Sequence, residues 1–288
     1  IGVRDPWGIR PLVLGKIGKS YLLASESCAF DAIGGEFIRD VKAGEIITID
    51  KDGIHSTMGK VVRDNACVFE YVYYARADSV MDGAGVYGAR YRAGQLLARM
   101  APVEADMVTG VPESALPSAI GFADESGIPY GQALLKNPYV GRTFIQPGQL
   151  QRENSVRLKL TPLGEQVRDK RIVLVDDSIV RGTTTQNLVN ILRKAGAKEI
   201  HMRISSPPVR FPCHFGINTP NAGQLIGSKL AVEDVRKRLG ADSLAYLDLD
   251  MLTDSVMDGE NGPRGFCTGC FSGEYPMDIV KCRRKGLV

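Results

Sequence analysis

One stretch dominates what this chain can fold into. Ile172 to Val175 form an apolar run that ends in two adjacent acids, Asp176 and Asp177. A turn of small residues follows, then "TTTQNLVNILRKAGA", then a second apolar run in "KEIHMRISSPPV". Leu188, Val189, Ile191 and Leu192 recur at helical spacing, and Gly196 stands where a helix end favours a left-handed residue. Strand, loop, helix, strand is a βαβ unit, which implies a mostly parallel sheet. Such sheets take ligands at the carboxyl ends of their strands. The loop from Asp176 to Thr185 should open on that edge.

The neighbouring segments agree with this reading. "ADMVTGVPES" is a short strand ending in a Pro-containing loop, and "ALPSAIGFADESG" continues as a helix. Val111 to Ser114 should therefore share an edge with Asp176 to Thr185. Between them, "KNPYVGRTFIQPGQLQRENSVRLKL" is polar and Arg-rich, which suits a mobile loop. Residues 1 to 55 differ in texture, with short apolar runs broken at Gly18-Lys19 and Asp52-Gly53 that predict antiparallel hairpins. Tyr71, Tyr73 and Tyr74 are spaced as in a strand.

Composition narrows the functional classes. The 36 basic and 33 acidic residues leave a net charge of +3, so no field points to nucleic acid. No apolar run approaches the roughly 20 residues a membrane helix needs. Six cysteines in 288 residues are too sparse for a secreted disulfide framework and favour a reducing compartment, the cytoplasm. The chain opens at Ile1 without Met, which predicts a natural start further upstream.

The turn itself suggests its ligand. Small residues running into a helix aim several backbone N–H groups at one point, and the helix dipole adds to their pull on a phosphate. Ile179, Val180, Arg181, Gly182, Thr183, Thr184 and Thr185 have that composition, with three threonine hydroxyls. Two carboxylates beside them would repel a bare phosphate. They suit ribose hydroxyls, which donate, and Mg2+ on a pyrophosphate. A sugar 5-phosphate carrying a Mg-pyrophosphate satisfies both halves.

"VLVDDSIVRGTTT" resembles the phosphoribosyl pyrophosphate (PRPP) motif of type I phosphoribosyltransferases. "RDPWGIRPLVLG", "ASESCAFDAIG", "CVFEYVYYARADS", "TGVPES", "KNPYVGRTFIQP", "SSPPVRFPCHFGI" and "CTGCFSGEYP" together resemble the iron-sulfur branch of the glutamine PRPP amidotransferase family. The resemblance implies a type I phosphoribosyltransferase fold, with helices on both faces of a mostly parallel sheet, over 59–288. Residues 1–58 would be the last strands of an N-terminal-nucleophile glutaminase domain. The activity implied is the first committed step of purine synthesis, in which ammonia, drawn from glutamine in the full-length enzyme, displaces pyrophosphate from PRPP. The glutaminase cysteine would lie upstream, and Cys28, inside "ASESCAFD", reads as a buried structural thiol.

Residue by residue, the resemblance gives Asp176 and Asp177 the ribose hydroxyls and, with Ser114, the Mg2+. Residues Ser178 to Thr185 would cradle the 5-phosphate. Glu113 and Ser114 match the pyrophosphate loop, although alone they read as a helix start after Pro112. Arg142 and Arg152 fall in the closing loop, where a solvated basic segment is the plain alternative. Cys267 and Cys270 form C-x-x-C, which by itself suits half a zinc site, a redox pair or part of an iron-sulfur cluster. The resemblance adds Cys67 and Cys213 and makes the group a structural [4Fe-4S] cluster. Cys282 stays a free thiol. It further implies homo-oligomers and feedback inhibition by purine nucleotides. Competing readings are a PRPP-binding regulator and a base-salvage phosphoribosyltransferase.

Overall fold

The computed structural model describes residues 1–137, 160–219, 221–257 and 262–279. The chain divides into two compact units: Ile1–Ala89 with Phe211–Pro220 and Thr253–Val288, and Arg90–Arg210 with Asn221–Leu252.

The first unit begins with antiparallel strands β1 (Gly2–Val3), β2 (Val13–Ile17), β3 (Ser20–Ala24), β4 (Glu36–Asp40), β5 (Glu45–Asp50) and β6 (Gly53–Met58). They form two three-stranded sheets, ordered β1-β5-β6 and β3-β2-β4. Ile17 pairs with Ser20, so Gly18-Lys19 is the two-residue hairpin turn the sequence predicts, with Gly18 left-handed. The second hairpin is displaced by one residue: Asp50 pairs with Gly53, which leaves Lys51-Asp52 at the tip. Leu14, Val41 and Ile47 make a small core.

A buried charge ties this unit together. The Arg4 guanidinium donates to the carbonyls of Gly8, Arg10 and Val41 and forks onto both oxygens of Asp82, at 2.6 and 2.8 Å. Bidentate pairing that also meets the remaining donors lets a guanidinium be buried.

Tyr71, Tyr73 and Tyr74 do not lie on a strand. Glu70–Tyr74 is a single π-helical turn, closed by the Ala75 N–H on the Glu70 carbonyl at 3.0 Å. Tyr71 is buried and donates to the Met81 carbonyl at 2.8 Å, while Tyr73 and Tyr74 stack edge to face and stay exposed. A run of aromatics two apart fits a strand and a wide helical turn alike, and packing decides between them.

The second unit holds the parallel sheet: β7 (Met107–Gly110), β8 (Arg171–Asp176), β9 (Glu199–Ile204) and β10 (Ser243–Tyr246), side by side in chain order. Helices α1 (Val86–Met100, of which the part from Arg90 on belongs to this unit), α2 (Leu116–Ser126), α3 (Thr183–Lys194) and α4 (Val232–Leu239) accompany it. Ile172 and Leu174 share a buried cluster with Leu188, Val189 and Leu192 of α3. Val173 and Val175, on the opposite face of β8, are also fully buried, so the strand is covered on both sides. α2 lies so close to β7 that a methyl on Gly110 would come within 2.9 Å of the Ala119 methyl. α1 and α2 approach backbone to backbone, because a methyl on Gly94 would strike the Ser118 carbonyl and one on Gly121 the Tyr91 carbonyl. Ser118 bolts the pair by donating to the Arg90 carbonyl at 2.9 Å.

No helix among the described residues is long and apolar enough to cross a membrane.

Candidate functional site

Three strand ends meet on one edge. The Val111 N–H bonds the Val175 carbonyl at 2.9 Å, and the Ser205 N–H bonds the Asp176 carbonyl at 3.0 Å. The loops after β7, β8 and β9 therefore start at the same level, as parallel register requires.

Asp176 ends β8 and Asp177 starts the loop; they are 7% and 6% exposed. Asp176 accepts the N–H of Asp177 at 2.9 Å. Asp177 accepts the hydroxyl of Ser178 at 2.6 Å on one oxygen and that of Ser114 on the other. The structure thus joins Ser114 to Asp177 across 63 positions of sequence. Burial pushes the Asp176 carboxyl well above the usual carboxylate range, and the neighbouring Asp177 charge pushes it further. Burial also raises Asp177, while the Ser114 and Ser178 hydroxyls and the Arg90 guanidinium draw it back. Ionising both acids here is costly, a cost that a cation or hydroxyl donors would lower.

The turn that follows is firmly seated. Ile179 and Thr185 are buried, Arg181, Thr183 and Thr184 are exposed, and Gly182 is left-handed at φ 79° immediately before α3. Hydroxyls and main-chain groups of 182–185 thus stand at the N-terminus of a 12-residue helix. Glu113 points to solvent and pairs with Lys136 at 3.0 Å, apart from the Ser114–Asp177 contact. Arg142 and Arg152 lie outside the described residues.

Sequence reasoning missed Arg90. It is 5% exposed on α1, 87 positions from Asp177, and "YGARYRAG" carries no local cue to a ligand site. Ser205 was also read only as strand; its hydroxyl donates to the Asp176 carbonyl at 3.4 Å.

The cysteines gather in the first unit. The short parallel strands Ala66–Cys67 and Phe266–Cys267 set Cys67 directly opposite Cys267. Cys270 sits on the helical turn Gly269–Ser272, and its carbonyl accepts the N–H of Phe211 at 3.0 Å, two residues before Cys213. Cys213 Sγ accepts the N–H of Phe215 at 3.3 Å. Burial pushes the Cys67 thiol up to about 12, with Glu70 and Cys267 adding to it. Cys270 is raised too, first by burial and then by Cys67, Cys267 and Cys213. Among the described residues no three His, Cys, Asp or Glu side chains converge closely enough for a single metal ion. Cys28 is buried, as its sequence context predicts, and Cys282 lies outside the described residues. His214 packs edge to face on Tyr275.

A parallel sheet whose central strand ends in a buried acid pair, followed by a small-residue turn into a helix, defines a type I phosphoribosyltransferase fold. No family model matches the chain. It is 51% identical over 281 residues to the amidophosphoribosyltransferase of Archaeoglobus fulgidus, which spans 97% of this chain and 61% of that protein. With the Mycobacterium tuberculosis amidophosphoribosyltransferase it shares 50% identity over 283 residues, 96% of this chain and 53% of the relative. It superposes with a TM-score of 0.86 on the solved glutamine PRPP amidotransferase of Bacillus subtilis in complex with ADP and GMP, at 46% identity over 96% of this chain and 61% of that one. The chain is homologous to the amidophosphoribosyltransferases and spans between about half and three-fifths of the length of these relatives.

Proposed function

We propose that this chain carries the PRPP-binding, pyrophosphate-displacing part of an amidophosphoribosyltransferase. The observation that carries the reading is the joining of Ser114, Asp176 and Asp177 beside a phosphate-type turn on one sheet edge. In the reaction a bond forms between ammonia nitrogen and C1 of PRPP while the C1–pyrophosphate bond breaks. The electron pair leaves with pyrophosphate, and the new amine loses a proton. The product is 5-phosphoribosylamine.

The chain's residues act by position and charge. Asp176 and Asp177 would accept from the ribose hydroxyls, and with Ser114 would hold Mg2+, which lowers the charge cost of the leaving pyrophosphate when bound. Mg2+ keeps much of its water and uses one or two carboxylates plus substrate phosphates, so two acids and a hydroxyl fit it without a protein cage. Main-chain groups and hydroxyls of 178–185 would hold the 5-phosphate, and Glu113, Arg142 and Arg152 belong with the pyrophosphate end and its closing loop. No side chain needs to act as nucleophile.

Cys67, Cys213, Cys267 and Cys270 would hold a [4Fe-4S] cluster, each supplying one thiolate. The Phe215 N–H donates to the Cys213 sulfur, a hydrogen bond of the kind that tunes cluster thiolates. Bound there, the cluster would cross-link the segments around 67, 213 and 267–270. Residues 1–58 are assigned to the end of a glutaminase domain, which makes glutamine the ammonia source of the whole protein. The ADP and GMP in the Bacillus subtilis complex support purine-nucleotide feedback here. A cytoplasmic homo-oligomer completes the proposal.

The test is PRPP turnover by Asp176→Asn with Asp177→Asn. We expect turnover to be abolished while the cluster's visible absorbance survives. Normal turnover would remove the acid pair from the site.

A further inference from the structure

We propose that Ile226 is a positioning residue for the 5-phosphate end of the PRPP loop, a strut behind the turn that sets where its ligand-facing groups point. The inference rests on the assignment of 176–185 to PRPP.

The geometry comes from three contacts. The Ile226 N–H donates to the Val180 carbonyl at 2.9 Å, which fixes the middle of the loop from behind. Its side chain abuts the next bend: a methyl built on Gly182 would lie 2.7 Å from Ile226 Cδ1. Gly182 is left-handed, and only glycine adopts that conformation without strain while letting an isoleucine approach so closely. Further along, the Gln186 amide donates to the Arg238 carbonyl at 2.9 Å, which fastens the first turn of α3 to the end of α4. The segment from Ile226 to Leu239 thus grips the loop and the helix start through the buried core they share.

Ile226 is itself held. It is 4% exposed and belongs to the same buried cluster as Ile179, Leu188, Val235 and Leu239. Ile179 is the loop's own inward anchor, so loop and strut share one core. An isoleucine is suited to this because its β-branched side chain has few rotamers and transmits the packing of the core to Gly182 with little give. A smaller residue would leave a gap behind Gly182, and the groups of 182–185 would lose their common aim. Positioning of this kind alters affinity for the group being aimed at and spares ligand parts held elsewhere.

The experiment is calorimetric titration of the full chain with Mg-PRPP, ribose 5-phosphate and Mg-pyrophosphate. Ile226→Ala should weaken PRPP and ribose 5-phosphate by the same factor, about tenfold, and leave Mg-pyrophosphate within about twofold. Ile226→Val should show the same pattern at about twofold. Should Ile226→Ala not fold, Ile226→Val decides by the same pattern. Equal loss for all three ligands would mean a general structural role, and undiminished ribose 5-phosphate binding would mean no role; either overturns the proposal. Asp176→Asn with Asp177→Asn is titrated alongside. If that variant binds PRPP like the native chain, the loop assignment fails; if it does not bind and the Ile226 variants bind normally, only the strut fails.

Discussion

Replacing Asp176 by Asn should make the ligand-free protein more stable and the ligand-bound protein less so. Asp176 is 7% exposed, it adjoins a second buried acid, and its hydrogen bond is from the Asp177 N–H, which an Asn oxygen accepts equally well. The substitution therefore keeps size and hydrogen bond while removing the ionisable group that burial opposes, and the amide N–H it adds faces the same polar edge. Relief of such functional strain is worth about 1–2 kcal/mol, or about 2–4 °C in melting temperature per kcal/mol. The pH dependence has a definite sign. The folded carboxyl titrates above its unfolded value, so the native fold binds more protons than the unfolded chain and loses stability as pH rises from about 4. The variant escapes that loss, and its advantage should shrink toward zero as pH falls to about 4. With Mg-PRPP at a hundred times its dissociation constant the native protein gains about 2.7 kcal/mol, and the variant almost none. Melting curves with EDTA and with Mg-PRPP should thus exchange order. A variant less stable than native at pH 7 in EDTA would refute the reasoning.

Arg90→Met removes the cation that draws Asp177 down. Mg-PRPP binding should weaken about tenfold, and its acidic limb should move to higher pH, read by calorimetry across pH 5 to 8. Gly121→Ala should cost about 1–3 kcal/mol in urea unfolding, although alanine gains about 1 kcal/mol as a helix former, because its methyl would collide with the Tyr91 carbonyl. Cys270→Ser should lose both iron and soluble folded protein; a stable, fully active variant without iron would contradict the cluster assignment.

The parts legible in the sequence were those encoded locally. The strand into Asp176 and Asp177, the helix carrying Leu188 and Leu192, and the Gly18-Lys19 turn each follow from adjacent residues whose periodicity and turn chemistry agree. What escaped was set by distant packing. Arg90 acts on Asp177, and Ile226 abuts Gly182, from distant stretches of the chain that carry no local mark of either pairing. Tyr71, Tyr73 and Tyr74 lay beyond local reading because a π turn and a strand share their spacing over so few residues. The long intervals between Cys67, Cys213 and Cys267 carry no spacing signal; parallel pairing of two-residue strands brings the first and last together.

The central claim is displacement of pyrophosphate from PRPP by ammonia. Its most direct test is pyrophosphate release by the anaerobically purified chain with PRPP, Mg2+ and ammonium chloride, compared with the same mixture lacking ammonium. The account predicts release that depends on ammonium and on no free nucleobase. Folded, iron-replete protein that releases nothing with ammonium, or releases pyrophosphate only when a base is added, would contradict it.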